Sequence, residues 1–487
     1  MRNHNRLRPL CSAPVLVLLA GCAVGPDFHS PAAPTVGRYT EAELPDATGD
    51  AAGVSQRFRA QQAVPQDWWT LFASPRLDAL VQQALAASPT LDAAQARLEQ
   101  AIAAYQAEAG QQWPQVDANL AATREKISTP APGDPPLRDF GPFTLYHAAI
   151  EVQYTLDLFG AERRALESLA AGSDYQRYQL EAARLSLAGN VVLTAIREAA
   201  TAERLATTEA LLAAQREQVD IAEHRQRQGG VSQAELLGQR ALLAQTEASQ
   251  PALRQQRAAL RHQLAVYLGR APGDGLPPLP RLDELRLPAG LPLTVPAELT
   301  RRRPDIRAAE ALLAGATADV GVATANLYPR LTLSGSLGSD RLESSRLLEG
   351  FNIWSLGAGL AQPLFHGGTL RARQRGAEAA LRAAEANYRQ TVLGGLQQVA
   401  DTLTALHGDA ATLAARDRAL ADATGYRDIA ARRLALGGVS RLALLDAERQ
   451  KLQTALDALA ARADRYADTA ALLQALGGGW EAPPARP

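Results

Sequence analysis

Two thiols, seven imidazoles and one thioether are the side chains best suited to covalent or metal chemistry in this chain, and their spacing leaves them little to do. The only Met is the initiator, so no thioether metal site exists. Cys11 and Cys22 cannot staple a small fold or build a cysteine zinc site. His147, His224, His262, His366 and His407 stand apart from Cys and carboxylates at ligand spacing. There is no Walker loop, Gly-x-Ser-x-Gly or His-x-x-x-His, and Gly357-Ala358-Gly359 has strand spacing rather than that of a phosphate loop. No enzyme, cofactor or metal centre is expected. One thiol has a use. Cys22 closes Leu19-Ala20-Gly21-Cys22, behind Arg2, Arg6, Arg8 and the short apolar run from Ala13 to Ala20. That run is too short to span a bilayer and reads as a removable signal. The tetrapeptide reads as a bacterial lipobox, with cleavage before Cys22, diacylation of its thiol and acylation of its amine. Several acyl chains anchor firmly where one holds only marginally. Residue 23 is Ala, not the Asp that signals inner-membrane retention, so the expected home is the periplasmic face of an outer membrane.

The elements around that anchor are mostly helical. The 487 residues carry a formal charge of −1, which argues against a nucleic-acid partner. Apolar residues make up 47% but aromatics only 5%, so Ala, Leu and Val dominate, as in long helices and coiled coils. The chain also repeats itself. The stretch beginning Pro89-Thr-Leu-Asp-Ala-Ala matches Pro304-Asp-Ile-Arg-Ala-Ala, and Trp113-Pro114 falls on Tyr328-Pro329. Leu158-Phe159 matches Leu364-Phe365, Gly229-Gly230-Val231-Ser232 matches Gly437-Gly438-Val439-Ser440, and Leu268-Gly269 matches Leu476-Gly477. The offset stays near roughly 210 residues, the signature of a duplication. The expected organisation is a signal over 1–21, an extended segment 22–75, a first repeat 76–269, a Pro-rich connector 270–303, a second repeat 304–477 and a tail 478–487.

Within each repeat a helix leads into two strands, then a very long helix, a Gly-Gly turn and a returning helix. Val392, Leu396, Val399, Leu403, Leu406, Ala410 and Leu413 form a heptad seam. Leu445, Arg449, Leu452, Leu456, Leu459, Ala463, Tyr466, Ala470 and Leu473 form another. A helix from Ala161 to Gln228 would be roughly 100 Å long. Pro251 is expected to kink the first returning helix. In the strands, Ile150, Val152, Tyr154 and Leu156 alternate with Glu151, Gln153, Thr155 and Asp157. The same alternation marks 115–120, 331–337 and 354–360. Strands of about ten residues with one apolar and one polar face suit a membrane barrel. Four strands cannot close one, since the smallest use about eight, and open edges in lipid leave backbone groups unpaired. Several copies must therefore share a barrel, with Glu151, Gln153 and Asp157 toward its lumen.

The lipobox, Trp68-Trp69-Thr70-Leu71-Phe72, the repeated strand pairs and the repeated Gly-Gly tips together resemble the TolC/OprM-like outer-membrane factor family. Gly21-Cys22-Ala23-Val24-Gly25-Pro26-Asp27-Phe28 is similar to its lipoprotein branch, the NodT type. The resemblance implies a mainly α chain with transmembrane β: a homotrimer sharing one twelve-stranded barrel above a periplasmic tube of helices. It implies outer-membrane lipid around the barrel and a connector in the equatorial region. It also implies a periplasmic membrane-fusion adaptor docked at the tips (Gly229, Gly230, Val231, Ser232 and Gly437, Gly438, Val439, Ser440). The adaptor couples the duct to an inner-membrane proton-driven pump for efflux of small toxic compounds, as in multidrug resistance. By the same resemblance Asp446 is an acidic gate ring and Glu235 helps hold the gate shut; Arg433 and Arg441 are near enough in sequence to be their partners. The further acidic position of some members is Ala443 here. A type I protein-secretion duct and a periplasmic coiled-coil scaffold remain the alternative readings.

Overall fold

A computed structural model describes residues 23–60, 62–126 and 141–480. Cys22 and the signal 1–21 therefore lie outside the described residues, as do 481–487 of the tail. In chain order come β1 (Arg57–Ala60), a 3-10 turn (Trp68–Phe72), α1 (Pro75–Ala87), α2 (Pro89–Gln111), β2 (Gln115–Glu125) and β3 (Phe143–Leu156). Then follow α3 (Ala161–Arg227), α4 (Gln233–Tyr267), β4 (Gly290–Leu293), α5 (Pro296–Arg302) and α6 (Pro304–Ala325). The chain ends with β5 (Arg330–Arg341), β6 (Ile353–Ala361), α7 (Thr369–Ala435) and α8 (Arg441–Ala475). The duplication is visible in the lengths: α3 and α7 are both 67 residues, α4 and α8 both 35. Pro251 lies inside α4, which continues past it.

The compact units cut across the repeats. One comprises the described residues up to Ser30 with Leu98–Tyr175 and Ala309–Tyr388. The other comprises Pro31–Arg97, Gln176–Ala308 and the residues from Arg389 onward. Each therefore takes segments from both halves of the sequence.

The first unit holds an antiparallel sheet in the order β2-β3-β5-β6. Because side chains alternate with period 2, one register fixes both faces. Ala118, Ile150, Leu337 and Trp354 align across the four strands, and Val116, Val152, Gly335 and Leu356 form another row on that face. The rows between them are polar: Asp117, Glu151, Ser336 and Ser355, then Gln115, Gln153, Ser334 and Gly357. The Ser336 and Ser355 hydroxyls are 2.8 Å apart. No helix of the unit covers the apolar face, where Leu120, Trp354 and Leu356 are 73%, 74% and 83% exposed. A soluble sheet shielded by its own helices would bury these side chains; this one does not. Within the described residues β2 and β6 each have a neighbour on one side only.

In the second unit the α7 seam is the interior. Val399, Leu403, Leu406, Ala410 and Leu413 are at most 5% exposed. In α8, Leu459, Tyr466, Ala470 and Leu473 are buried, while Leu452 and Leu456 toward its start are half-buried. The Pro-rich connector forms two 3-10 turns, β4 and α5. β4 pairs in parallel with β1, an interaction that the sequence did not announce. The segment before β1 closes over Arg465, which is fully buried. Its guanidinium donates to Gln56 Oε1 (3.2 Å), Ala51 O (2.9 Å), Thr48 Oγ1 (3.2 Å) and Val54 O (2.9 Å). A buried cation is tolerated when its donors are satisfied in this way.

Beside this clamp, burial and the neighbouring Asp468 and Asp464 carboxylates push the Asp409 carboxyl up to about 7, against the pull of Arg465. The folded chain thus binds this proton more tightly than the unfolded chain. The associated stability is fully present below the ordinary value of 3.8 and is lost as pH rises through about 7. Asp409→Asn removes the penalty. We expect its thermal midpoint to exceed that of the parent at pH 8, by a gain on the order of 1 kcal/mol after solvent screening, and to match it near pH 4. A thermal melt series in detergent across that range checks the trend.

Candidate functional site

The two helical turns are near copies. α3 ends at Arg227, and the chain reverses with Gly229 at φ 74°; α7 ends at Ala435, and Gly437 stands at φ 73°. These left-handed positions suit Gly, which has no Cβ to clash. The following glycine N–H returns to a helix carbonyl in each case, Gly230 to Arg225 O (2.7 Å) and Gly438 to Arg433 O (2.8 Å). Ser232 and Ser440 then cap α4 and α8, their hydroxyls accepting from Glu235 N (3.1 Å) and Ala443 N (3.2 Å). The capping role, which the sequence reading did not assign, supplies an acceptor for one of the orphan N–H groups at each helix start. Val231 and Val439 are half-buried, while the glycines and Leu436 (87% exposed) face solvent.

Just above these turns, α8 faces α3 through charged side chains. Arg441 makes a two-point bond with Glu217, Nε to Oε1 at 2.6 Å and Nη2 to Oε2 at 2.8 Å. Fork-to-carboxylate geometry of this kind is the strongest form of the Arg–carboxylate pair. The guanidinium hydrogen-bonded to Glu217 holds that carboxyl below its ordinary value, and Glu217 in turn raises Arg441. Asp446 takes Arg449 of its own helix (3.1 Å) and Gln218 of α3 (Nε2 to Oδ1, 3.4 Å). Glu448 receives Arg427 of α7 (3.2 Å) and Lys451 (3.1 Å).

The structure thus brings together Asp446 and Arg441 but pairs them differently from expectation. Arg441 belongs to Glu217, not to Asp446 or Glu235. Arg433 enters through its carbonyl, at the Gly438 turn. Glu235 is exposed beside its cap, and its carboxylate has no ion-pair partner among the described residues. Glu217, Gln218 and Arg449 are the members that sequence reasoning missed. Helical periodicity shows which face of a helix turns inward, not which helix it meets.

On the sheet, Glu151 and Gln153 lie on the polar face as expected. Asp117 stands directly opposite Glu151. Like charges facing each other across strands are unfavourable, and an aqueous face relieves that repulsion by screening. Asp157 is a correction. It follows the last residue of β3, and its Oδ2 accepts from Arg163 N (3.0 Å) and Arg163 Nε (3.2 Å). It therefore caps the start of α3, where backbone donors lack partners, rather than lining a strand face. His147 on the polar face meets Asp340 at 2.7 Å. No group of three His, Cys, Asp or Glu among the described residues could hold a metal ion. Among the same residues, no helix is long and apolar enough to cross a membrane.

Comparison with known proteins gives this arrangement its context. A family model described as outer membrane efflux protein matches residues 80–270 and 295–478, the two repeats. The chain is 32% identical over 479 residues to the pyoverdine export outer membrane protein OpmQ of Pseudomonas putida, with 98% of each chain covered. It is 29% identical to the solvent efflux pump outer membrane protein SrpC of Pseudomonas putida, over 96% of this chain and 97% of that one. The solved structure of the outer-membrane channel OprN matches with a TM-score of 0.81 at 32% identity, covering 94% of this chain and 100% of that one. The chain belongs to the outer membrane efflux protein family, TolC-like channels of the outer membrane that are not enzymes.

Proposed function

We propose that three copies of this chain form the outer-membrane duct of a tripartite efflux system for small toxic organic compounds. The observation that carries this reading is the sheet: an exposed apolar face, an aligned polar face, and one open edge on each of β2 and β6. In lipid every backbone donor and acceptor must be paired, so β6 of one copy meets β2 of the next until the ring closes. The polar rows, with Asp117 and Glu151, then line a water-filled lumen, and the apolar rows meet lipid. Cys22 carries the acyl chains that anchor the assembly on the periplasmic side. The relatives named for pyoverdine export and solvent efflux support small molecules as cargo.

The gate and the docking surface follow from the turns. The exposed Gly-Gly tips and Leu436 receive a periplasmic adaptor, which links the duct to a proton-driven pump in the inner membrane. With no nucleotide site in the sequence, the work comes from that partner. Arg441–Glu217 ties α8 to α3, and three such ties hold the aperture closed. Asp446 supplies one carboxylate per copy to the aperture, and Glu235 lies at the turn where the adaptor bears. Opening separates α7 and α8 from α3 and breaks these bonds, a two-state element that the partner biases.

Deletion of the gene, complemented with the parent or with Asp446→Ala, tests the assignment against a panel of solvents, siderophores and antibiotics. We expect deletion to raise susceptibility several-fold, and the parent to restore it. Complementation with Asp446→Ala should restore export while letting vancomycin-sized solutes leak inward. An unchanged panel together with loss of a secreted polypeptide would instead identify a type I secretion duct.

A further inference from the structure

The residues immediately after the lipidation position do not hang free. Val24 N–H donates to Phe159 O (3.1 Å), at the junction of β3 and α3. Gly25, at φ 99°, lies so close to α6 that an added Cβ would stand 2.5 Å from the Gly321 Cα. Gly321 is equally constrained, since its own Cβ would meet the Arg164 side chain at 2.8 Å. Two facing glycines let backbone touch backbone, which any side chain would prevent. Asp27 accepts from Arg164 Nη2 at 2.5 Å, and Arg164, only 6% exposed, also holds Glu167 at 2.6 Å. The Arg164 hydrogen bond holds the Asp27 carboxyl below its ordinary value. Ser30 then donates to Glu310 of α6. Four consecutive attachments alternate between the first repeat (Phe159, Arg164) and the second (Gly321, Glu310).

The geometry points to residues Ala23–Ser30 acting as a docked staple that joins the two repeats at the foot of the sheet, with Asp27 and Arg164 as its positioning pair. Without it, β3–β5 is the one strand pairing among the described residues that joins the repeats in this sheet. The staple holds α3 and α6 in fixed spacing and so sets the angle at which both strand pairs leave their helices. The aromatic stack of Phe159 on Tyr328 (centroids 4.7 Å) marks the strand–helix junction, and aromatic rings of this kind favour the membrane interface.

Hydrogen exchange of the full-length protein in detergent tests the staple, with mass spectrometry of the N-terminal peptide reporting acylation separately. The variants are Asp27→Ala, Asp27→Glu and a secreted Cys22→Ser form. We expect protection of the Val24 amide in the parent, in Cys22→Ser and largely in Asp27→Glu. Exchange should rise about tenfold or more in Asp27→Ala, as expected for a locally opened segment. The heat stability of the oligomer should fall in that variant alone. An unprotected Val24 in the parent, or protection unchanged in Asp27→Ala, would overturn the staple. Protection lost in Cys22→Ser would also overturn it, because the lipid and not the cradle would then do the holding. An unacylated Cys22 with a protected Val24 would uphold the staple and remove only the lipid reading.

Discussion

Leu356→Arg should abolish accumulation of the protein in the outer membrane, while Ser355→Arg, one residue away, should leave it in place. Both positions lie near the middle of β6, and their side chains project to opposite faces of the sheet. Leu356 shares a row with Val116 and Val152 and is 83% exposed in the single chain, so in the proposed assembly it meets hydrocarbon. An arginine near the bilayer midplane of a barrel costs about 2–4 kcal/mol. With one in each copy, the proposed trimer carries the cost three times, about 6–12 kcal/mol, which is comparable to the whole margin of a typical folded domain. Ser355 lies in the row of Asp117, Glu151 and Ser336, where a guanidinium finds water and carboxylates. Fractionation and heat-modifiable migration on gels distinguish the outcomes. Equal tolerance of both substitutions would mean that neither face touches lipid.

The second large effect lies at the aperture. Arg441→Ala should open the duct, and the exchange Arg441→Glu with Glu217→Arg should close it again. An exposed ion pair contributes on the order of 0.5 kcal/mol. Three acting together shift a closed–open equilibrium by about tenfold. The expected result is a roughly tenfold rise in open probability in planar bilayers for Arg441→Ala and for Glu217→Ala, and recovery in the swapped pair. Because Arg441 depresses the Glu217 carboxyl, the lock is intact above the ordinary value of 4.5 and is lost only as pH falls through the lowered one. Acid below that range should therefore open the parent channel and leave Arg441→Ala unaffected. Unchanged open probability in both single variants would remove the pair from the gate.

How much of this was legible in the sequence follows from the range of each interaction. The seams of α7 and α8 and the alternation in β2, β3, β5 and β6 were readable because helix and strand periodicity are local. The tip turns were readable because they are written twice. The partners were not readable. Glu217 meets Arg441 across 224 positions of sequence, and heptads specify a face without naming the helix opposite. The burial of Arg465 depends on the segment from Thr48 to Gln56 folding over it, which no local pattern around Arg465 announces. Asp157 continued the polar alternation of β3 by one residue too many. The strand had already ended, and the unpaired N–H groups opening α3 claimed its carboxylate. Asp27 and Arg164 carry opposite charges 137 positions apart, and nothing local in either stretch pairs them.

The proposed duct requires the four-stranded sheet to be an arc of a wall that identical neighbours complete. Native mass spectrometry of the protein, extracted from membranes in mild detergent, measures that directly. We expect one species with the mass of three chains, whose β2 and β6 amides are protected from exchange and lose that protection when the species is split. A stable, folded single chain with those edge amides already protected would contradict it.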